Sequence, residues 1–246
     1  MRFPGNTQGG FTLIELLVVI SIIGVLASIT LVALSSTRGK AKIASFMVQD
    51  QTMYQAMGAS ATGSWDFNEG AGTVITDSSF SGNNGSITGA VWTNQTFNGA
   101  GYAVTFNGTN PVSFSNMRNL PTTAMTVTAW VRTTAYQDFA NIVVKNWGVE
   151  GGWILFNHTG GTCFGVFHSG WQYNSCVSNP SLNTWHFLMG VYDGSKVALY
   201  VDGVRAPPYL LAGQILDSNP TTSFGIGTGN ISGEIDSVRL YTDYPH

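Results

Sequence analysis

The chain has 246 residues, only 9% of them charged, and a formal net charge of -3. That balance excludes a broad basic surface and, with it, nucleic-acid binding by bulk electrostatics. Thirty glycines, abundant Ser, Thr and Asn, and 12% aromatic residues fit a turn-rich, all-β, extracytoplasmic domain.

Residues 1–10 are polar and carry one basic residue, Arg2. Residues 11–34 contain no Pro and no charge except Glu15. At 1.5 Å per residue this stretch of about 24 residues spans roughly 36 Å as a helix, enough to cross a bilayer core. A cleaved secretory signal has a shorter apolar region, although Ala33-Leu34-Ser35 offers a small-residue site for one. Glu15 is the unusual residue. A carboxylate in hydrocarbon costs about 2.5–3.5 kcal/mol on insertion scales, so one kept there should have a partner. Near a helix N-terminus the macrodipole favours it.

Beyond Arg38, Lys40 and Lys42, the residues Ile43, Phe46, Met47, Met53, Tyr54 and Met57 recur at spacings that continue an amphipathic helix. Residues 58–63 form a small-residue breaker and linker. Three basic residues follow the apolar run and one precedes it, so the positive-inside rule alone gives a weak or reversed orientation.

From Ser64 the pattern becomes short alternating runs, such as Tyr102-Ala103-Val104-Thr105-Phe106, Met125-Thr126-Val127-Thr128-Ala129-Trp130-Val131 and Lys196-Val197-Ala198-Leu199-Tyr200-Val201. The turn signals Asn107-Gly108, Asp193-Gly194 and Asp202-Gly203 separate such runs. Many short strands with no helical period between them predict a β-sandwich or jelly roll. If Ser169-Gly170 is a two-residue hairpin turn, Cys163 faces Cys176 at a non-hydrogen-bonded pair, where side chains are closest. A cross-strand disulfide then fits and needs an oxidising compartment. The alternative is two buried thiols. Two Cys alone do not complete a zinc shell.

Gly10-Phe11-Thr12-Leu13-Ile14-Glu15 resembles the type IV prepilin processing motif at every position. The resemblance implies cleavage between Gly10 and Phe11 by a prepilin peptidase and N-methylation of Phe11. It also implies that the apolar segment stays, first as an inner-membrane anchor and then in a filament core with other pilin subunits. It is this resemblance that places the C-terminal part outside. Glu15 lies four residues after Phe11 on the same helix face. Pairing with the terminal amine of a neighbouring subunit's Phe11 would offset its burial and set the subunit register.

An ordered set of stretches resembles the laminin-G-like, concanavalin A-like family. It begins with Trp65-Asp66-Phe67-Asn68-Glu69-Gly70 and Thr76-Asp77-Ser78-Ser79, passes Val127-Thr128-Ala129-Trp130-Val131 and Asn183-Thr184-Trp185-His186, and ends with Gly233-Glu234-Ile235-Asp236-Ser237-Val238-Arg239-Leu240-Tyr241. The family mostly binds glycans, proteins or cell surfaces, and many members carry one Ca²⁺. By that resemblance Glu69, Asp77, Asn83 and Asp236 are candidate oxygen ligands, of a kind that suits calcium. The alternative is that Asp77 and Asn83 shape a turn and Asp236 caps a strand. Among the aromatics, Trp130 and Trp185 are assigned to the core, and Trp147, Trp171 and Tyr173 are the candidates for ligand binding. His158 and His168 show no metal-ligand spacing.

Glu234-Ile235-Asp236 also opens like the signature of glycoside hydrolases on this fold, but Val238 or Arg239 occupies the place of the second carboxylate that hydrolysis needs. An enzyme is therefore not expected. The expected organisation is a leader (1–10), a pilin helix (11–57) with its transmembrane part at 11–34, a linker (58–63) and a laminin-G-like domain (64–246). In sum this is a long N-terminal α-helix followed by an all-β concanavalin A-like jelly-roll sandwich. The expected function is a pilin-like subunit displaying a binding domain whose ligand is a glycan or surface protein. A pseudopilin of a secretion or DNA-uptake machine is the alternative.

Overall fold

The computed structural model describes residues 10–89 and 91–245, without the side chains of 32–36, 38 and 171–173. The first nine residues of the leader lie outside the described residues. One helix, α1 (Leu13–Met57), is followed by a 3-10 turn (Gly58–Ser60) and then only by strands. The chain divides into two compact units, residues 1–44 and 45–246, so the last turns of α1 belong to the second unit.

In the first unit, Leu13–Leu31 has a mean hydropathy of 2.5, long and apolar enough to cross a membrane. Its large apolar side chains, among them Leu16, Ile20, Ile23 and Leu31, are exposed within the unit. A helix that is apolar all round needs lipid or other helices around it.

The strands of the second unit are β1 (Ala61–Trp65), β2 (Val74–Ile75), β3 (Gly85–Ile87), β4 (Val91–Thr93), β5 (Ala103–Phe106), β6 (Val112–Phe114), β7 (Met125–Thr133), β8 (Ala140–Lys145) and β9 (Trp153–His158). They continue with β10 (Gly161–His168), β11 (Trp171–Val177), β12 (His186–Tyr192), β13 (Lys196–Val201), β14 (Val204–Arg205), β15 (Tyr209–Leu210), β16 (Phe224–Gly229) and β17 (Gly233–Tyr241). Nine form one antiparallel sheet in the order β14-β13-β12-β7-β17-β5-β4, with β1 also on β17 and β15 on β13. The other eight form the second sheet in the order β11-β10-β9-β8-β16-β6-β3-β2. The architecture is the expected jelly-roll sandwich.

Alternation builds the core. Val127, Ala129 and Val131 of β7 enter one apolar cluster with Leu155, Phe164, Leu188, Leu199, Ile235 and Leu240. An aromatic string runs through it: Trp65 meets Phe114 at 4.8 Å and Phe224 at 5.7 Å, and Phe224 meets Trp153 at 5.8 Å. Complete burial of each such ring contributes about 2–3 kcal/mol from area alone. The Trp65 indole N–H is not left orphaned, donating to the Asn83 carbonyl at 2.8 Å.

Two expectations are corrected here. Residues 61–63 are not linker but the start of β1, which pairs with the end of β17 from Ala61 opposite Tyr241. The Gly-Ser-rich composition reads as a breaker because tertiary pairing, not propensity, makes this strand. Trp130 is fully buried as expected, on the face of β7 opposite Ala129 and Val131 where Phe97 stacks on it at 4.3 Å, whereas the other assignment is corrected. Trp185 is only half-buried, edge-on to Phe97 at 6.4 Å.

The outer side of β17 carries the tail of α1. Asp50 pairs with Arg239, Tyr54 lies 5.0 Å over the Arg239 guanidinium, and Met53 is buried. Ser237, with φ 49°, forms a bulge that shifts the β7–β17 register between Asp236 and Arg239.

Candidate functional site

The helix start has its own closure. Thr12 precedes α1 as N-cap, and its backbone N–H and hydroxyl donate to Glu15 Oε2 at 2.8 and 2.7 Å. In return the Glu15 backbone N–H donates to Thr12 Oγ1 at 3.3 Å. This reciprocal capping box satisfies orphan N–H groups and gives the carboxylate a partner within the subunit. The Thr12-x-x-Glu15 spacing that announces it is legible in the sequence. Phe11 is exposed beside it.

The hairpin forms as expected. Ser169 and Gly170 both adopt positive φ, 49° and 78°, as the tightest hairpin turn requires, and His168 faces Trp171. Cys163 and Cys176 face each other with Cα atoms 4.2 Å apart and are joined by a disulfide. The strand positions of Trp171 and Tyr173 are opposite His168 and Val166. Their side chains lie outside the described residues.

Trp147 stands at the mouth of a groove of about 450 Å³ lined by Ser113, Phe139, Asn141, Val144, Ser223 and Thr228. Trp147 is 51% exposed and Phe139 64%, and their rings meet at 6.2 Å and 90°. Phe167 closes on Trp147 from another side at 5.9 Å and 82°. These residues continue a second apolar cluster of Val144, Ile154 and Phe167 on the face of the eight-stranded sheet turned away from the core.

The loop that presents Trp147 is held firmly. Asn146 takes φ 47°, donates its backbone N–H to the Ser223 carbonyl at 2.8 Å and donates its amide to Asp217 Oδ2 at 2.7 Å. Lys145 is fully buried, its ammonium donating to the Asn219 carbonyl at 2.7 Å with Asp217 at 3.9 Å. Burial pushes its pKa down against the pull of Asp217. Phe139 has φ 61°, a strained conformation for a bulky residue. It is fixed there by Asn230, whose backbone N–H reaches the Phe139 carbonyl and whose amide reaches the Asp138 carbonyl, both at 3.0 Å. The composition of the loop points to Trp147, whereas Phe139, Asn141 and Thr228 leave no mark in the sequence.

The four candidate calcium ligands do not gather into one group, and no set of three or more His, Cys, Asp or Glu placed to hold a metal occurs among the described residues. Asp77 accepts four hydrogen bonds, from the backbone N–H of Ser64, Ser79 and Asn83 and from the Ser79 hydroxyl, all at 2.7–2.8 Å. The Asn83 amide donates to the Thr62 and Arg118 carbonyls and accepts from the Arg118 N–H. Glu69 accepts from the Thr76 N–H at 2.7 Å. Asp77 and Asn83 thus close a loop with protein donors, while Glu69 Oε2 is buried without a hydrogen-bond partner.

Asp236 instead lines a small cleft of about 180 Å³ with Asp50, Asp66, Asn68, Asn98 and Arg239. Burial raises its carboxyl pKa to about 7, against hydrogen bonds from the Phe97 and Ser237 backbones. Burial also raises Asp50, despite Arg239. Glu234, the other carboxylate of the Glu-x-Asp stretch, is held by Arg132 through two bonds of 2.9 and 2.8 Å. Val238 and Arg239 follow on the same strand where the signature would carry its second catalytic carboxylate. His158 stacks on Phe156 and His168 bonds Glu150 at 2.7 Å, neither near a metal set.

Fold and site together define a class: a lectin-like sandwich that follows a long apolar helix in the chain. Residues 106–244, more than half of the chain, match the model of the concanavalin A-like lectin/glucanases superfamily, and the chain belongs to it. Residues 5–31 match the prokaryotic N-terminal methylation motif, that of type IV pilins. No curated protein matches the chain. Among solved structures, domain 4 of AbnA, a GH43 extracellular arabinanase from Geobacillus stearothermophilus in complex with arabinotriose, is similar at TM-score 0.61 and 18% identity, covering 74% of this chain and 91% of that one. The botulinum neurotoxin serotype D binding domain is similar at TM-score 0.60 and 13% identity, covering 78% of this chain and 50% of that one. A Trypanosoma rangeli sialidase in complex with sialic acid follows at TM-score 0.52 and 15% identity, covering 76% of this chain and 31% of that one. This chain thus spans about half of the neurotoxin domain and a third of the sialidase. At such identities the likeness is one of fold.

Proposed function

We propose that this chain is a type IV pilin-like subunit, anchored in the inner membrane before assembly, that displays a carbohydrate-binding domain on a surface filament. The methylation motif and the apolar helix support the anchor and its partners, other pilin subunits and a prepilin peptidase acting between Gly10 and Phe11. The observation that carries the binding half is the exposed Trp147–Phe139 pair, set at right angles over a groove on a lectin-like sandwich. Aromatic faces meet the C–H faces of sugars while hydroxyls and amides at the groove meet their hydroxyls. That the AbnA domain is seen with arabinotriose fits a glycan ligand. The engagement of Glu234 by Arg132 favours binding over hydrolysis.

Two measurements test the two halves. Mass spectrometry of the mature N-terminus should find a methylated Phe11; a start near Ser36 would overturn the processing route. The full chain in detergent should bind oligosaccharides on a glycan array, and Trp147→Ala should reduce that binding at least tenfold with the fold intact by circular dichroism. Binding unchanged by Trp147→Ala would remove the groove as the site.

A further inference from the structure

The groove also carries information about the charge of its ligand. We infer that it takes an uncharged glycan, and selects against sialylated or uronic-acid-bearing chains; this rests on the groove being the glycan site. No residue of its lining carries an ionisable side chain. Polar groups there are hydroxyls and one amide, and Asn141 Nδ2 is already committed to Thr228 Oγ1 at 3.2 Å. What remains for a ligand is a set of neutral donors and acceptors that match sugar hydroxyls.

The ionisable groups next to the lining in sequence do not supply a cation. Lys145, two residues before Trp147, is fully buried and spends its ammonium on the carbonyls of Asn219 and Thr222. Asp138, next to Phe139, accepts from the Thr159 N–H at 3.0 Å and from its hydroxyl at 2.9 Å. Asp217, which holds the Trp147 loop through Asn146, lies outside the lining and is paired with Lys145 at 3.9 Å. A glycan carboxylate entering here would lose hydration and find no guanidinium or ammonium in the lining. A neutral sugar loses only water from its apolar face, which Trp147 and Phe139 replace. The strained backbone of Phe139 is consistent with this, since it keeps an apolar ring exposed at a place where a turn residue would be easier to accommodate.

The test uses the full chain in detergent against matched pairs of oligosaccharides that differ only in a terminal sialic or uronic acid. Neutral members should bind, and their acidic counterparts should bind at least tenfold more weakly. Raising salt from about 50 to about 500 mM should leave neutral binding unchanged, because no charge takes part. Trp147→Ala and Phe139→Ala should each lower neutral binding about tenfold. Acidic members that bind as well as neutral ones, with Trp147 still required, would overturn the neutral-ligand inference and keep the site. Glycan binding that survives both aromatic substitutions would overturn the site itself.

Discussion

At the scale of single residues, the molecule keeps two carboxylic acids, Asp236 and Asp50, in places that disfavour their charge. Asp236 is 3% exposed on β17, and burial lifts its pKa from the unfolded 3.8 to about 7. Between those values the folded state holds a proton that the unfolded chain has released. This contribution to stability is therefore fully present below about pH 4 and is lost as pH rises through about 7. A shift of this size corresponds to at most about 4 kcal/mol. Asp50, raised by burial, adds in the same direction. The lowered carboxylates Asp138, Glu150 and Asp217 titrate in the acid and act outside this window. Urea unfolding should accordingly show greater stability at pH 5 than at pH 8. Asp236→Asn, which mimics the protonated acid, should flatten that slope and gain relative to the parent chiefly above pH 7. An unchanged slope in the variant would mean that Asp236 is not the titrating group.

At the scale of elements, the β10–β11 hairpin and α1 show opposite relations between sequence and structure. The hairpin was fully legible: two turn residues suited to positive φ fixed the register, and the register alone placed Cys163 opposite Cys176. Its disulfide links residues 13 apart on an edge of the eight-stranded sheet, and the chain-entropy argument gives it about 3 kcal/mol. Reduction, or the Cys163→Ser/Cys176→Ser double variant, should lower stability by about 2–4 kcal/mol, read as a fall in the urea midpoint at constant slope. A smaller effect would place the hairpin's order in its sheet pairing instead. For α1, the apolar period showed that the helix continues to Met57, but not what its tail touches. The Asp50–Arg239 pair joins residues 189 apart, and no local pattern encodes a contact of that separation. The same holds for the groove. Trp147 stands out by composition, whereas Phe139 is brought to the groove by a left-handed backbone fixed by Asn230, itself distant in the chain. Asp77 shows the converse, since a residue that resembles a ligand by type is engaged by backbone donors once the loop has closed.

At the scale of the whole molecule, the two halves of the proposed function fall in two separate units, residues 1–44 and 45–246. Glu15 belongs to the first unit, where Thr12 satisfies its carboxylate while the subunit is alone. Both bonds fall on Oε2, so a neighbour's terminal amine could reach the same carboxylate through Oε1 without displacing Thr12. If that amine is the partner, the charge of Glu15 is what assembly needs, because a charged amine gains more from a carboxylate than from a neutral amide. Glu15→Gln retains a capping side chain and the helix but removes the charge, so it separates the two roles. It should insert in the membrane at parental levels and yield few or no filaments in sheared fractions. Glycan binding by the detergent-solubilised chain should be unchanged, because the groove lies wholly in the second unit. Trp147→Ala should give the reverse, filaments in parental amounts that no longer bind the glycan. Glu15→Gln filaments at parental levels would exclude charge pairing as the register. Loss of assembly in Trp147→Ala would show that the groove face is used between subunits and not for a ligand.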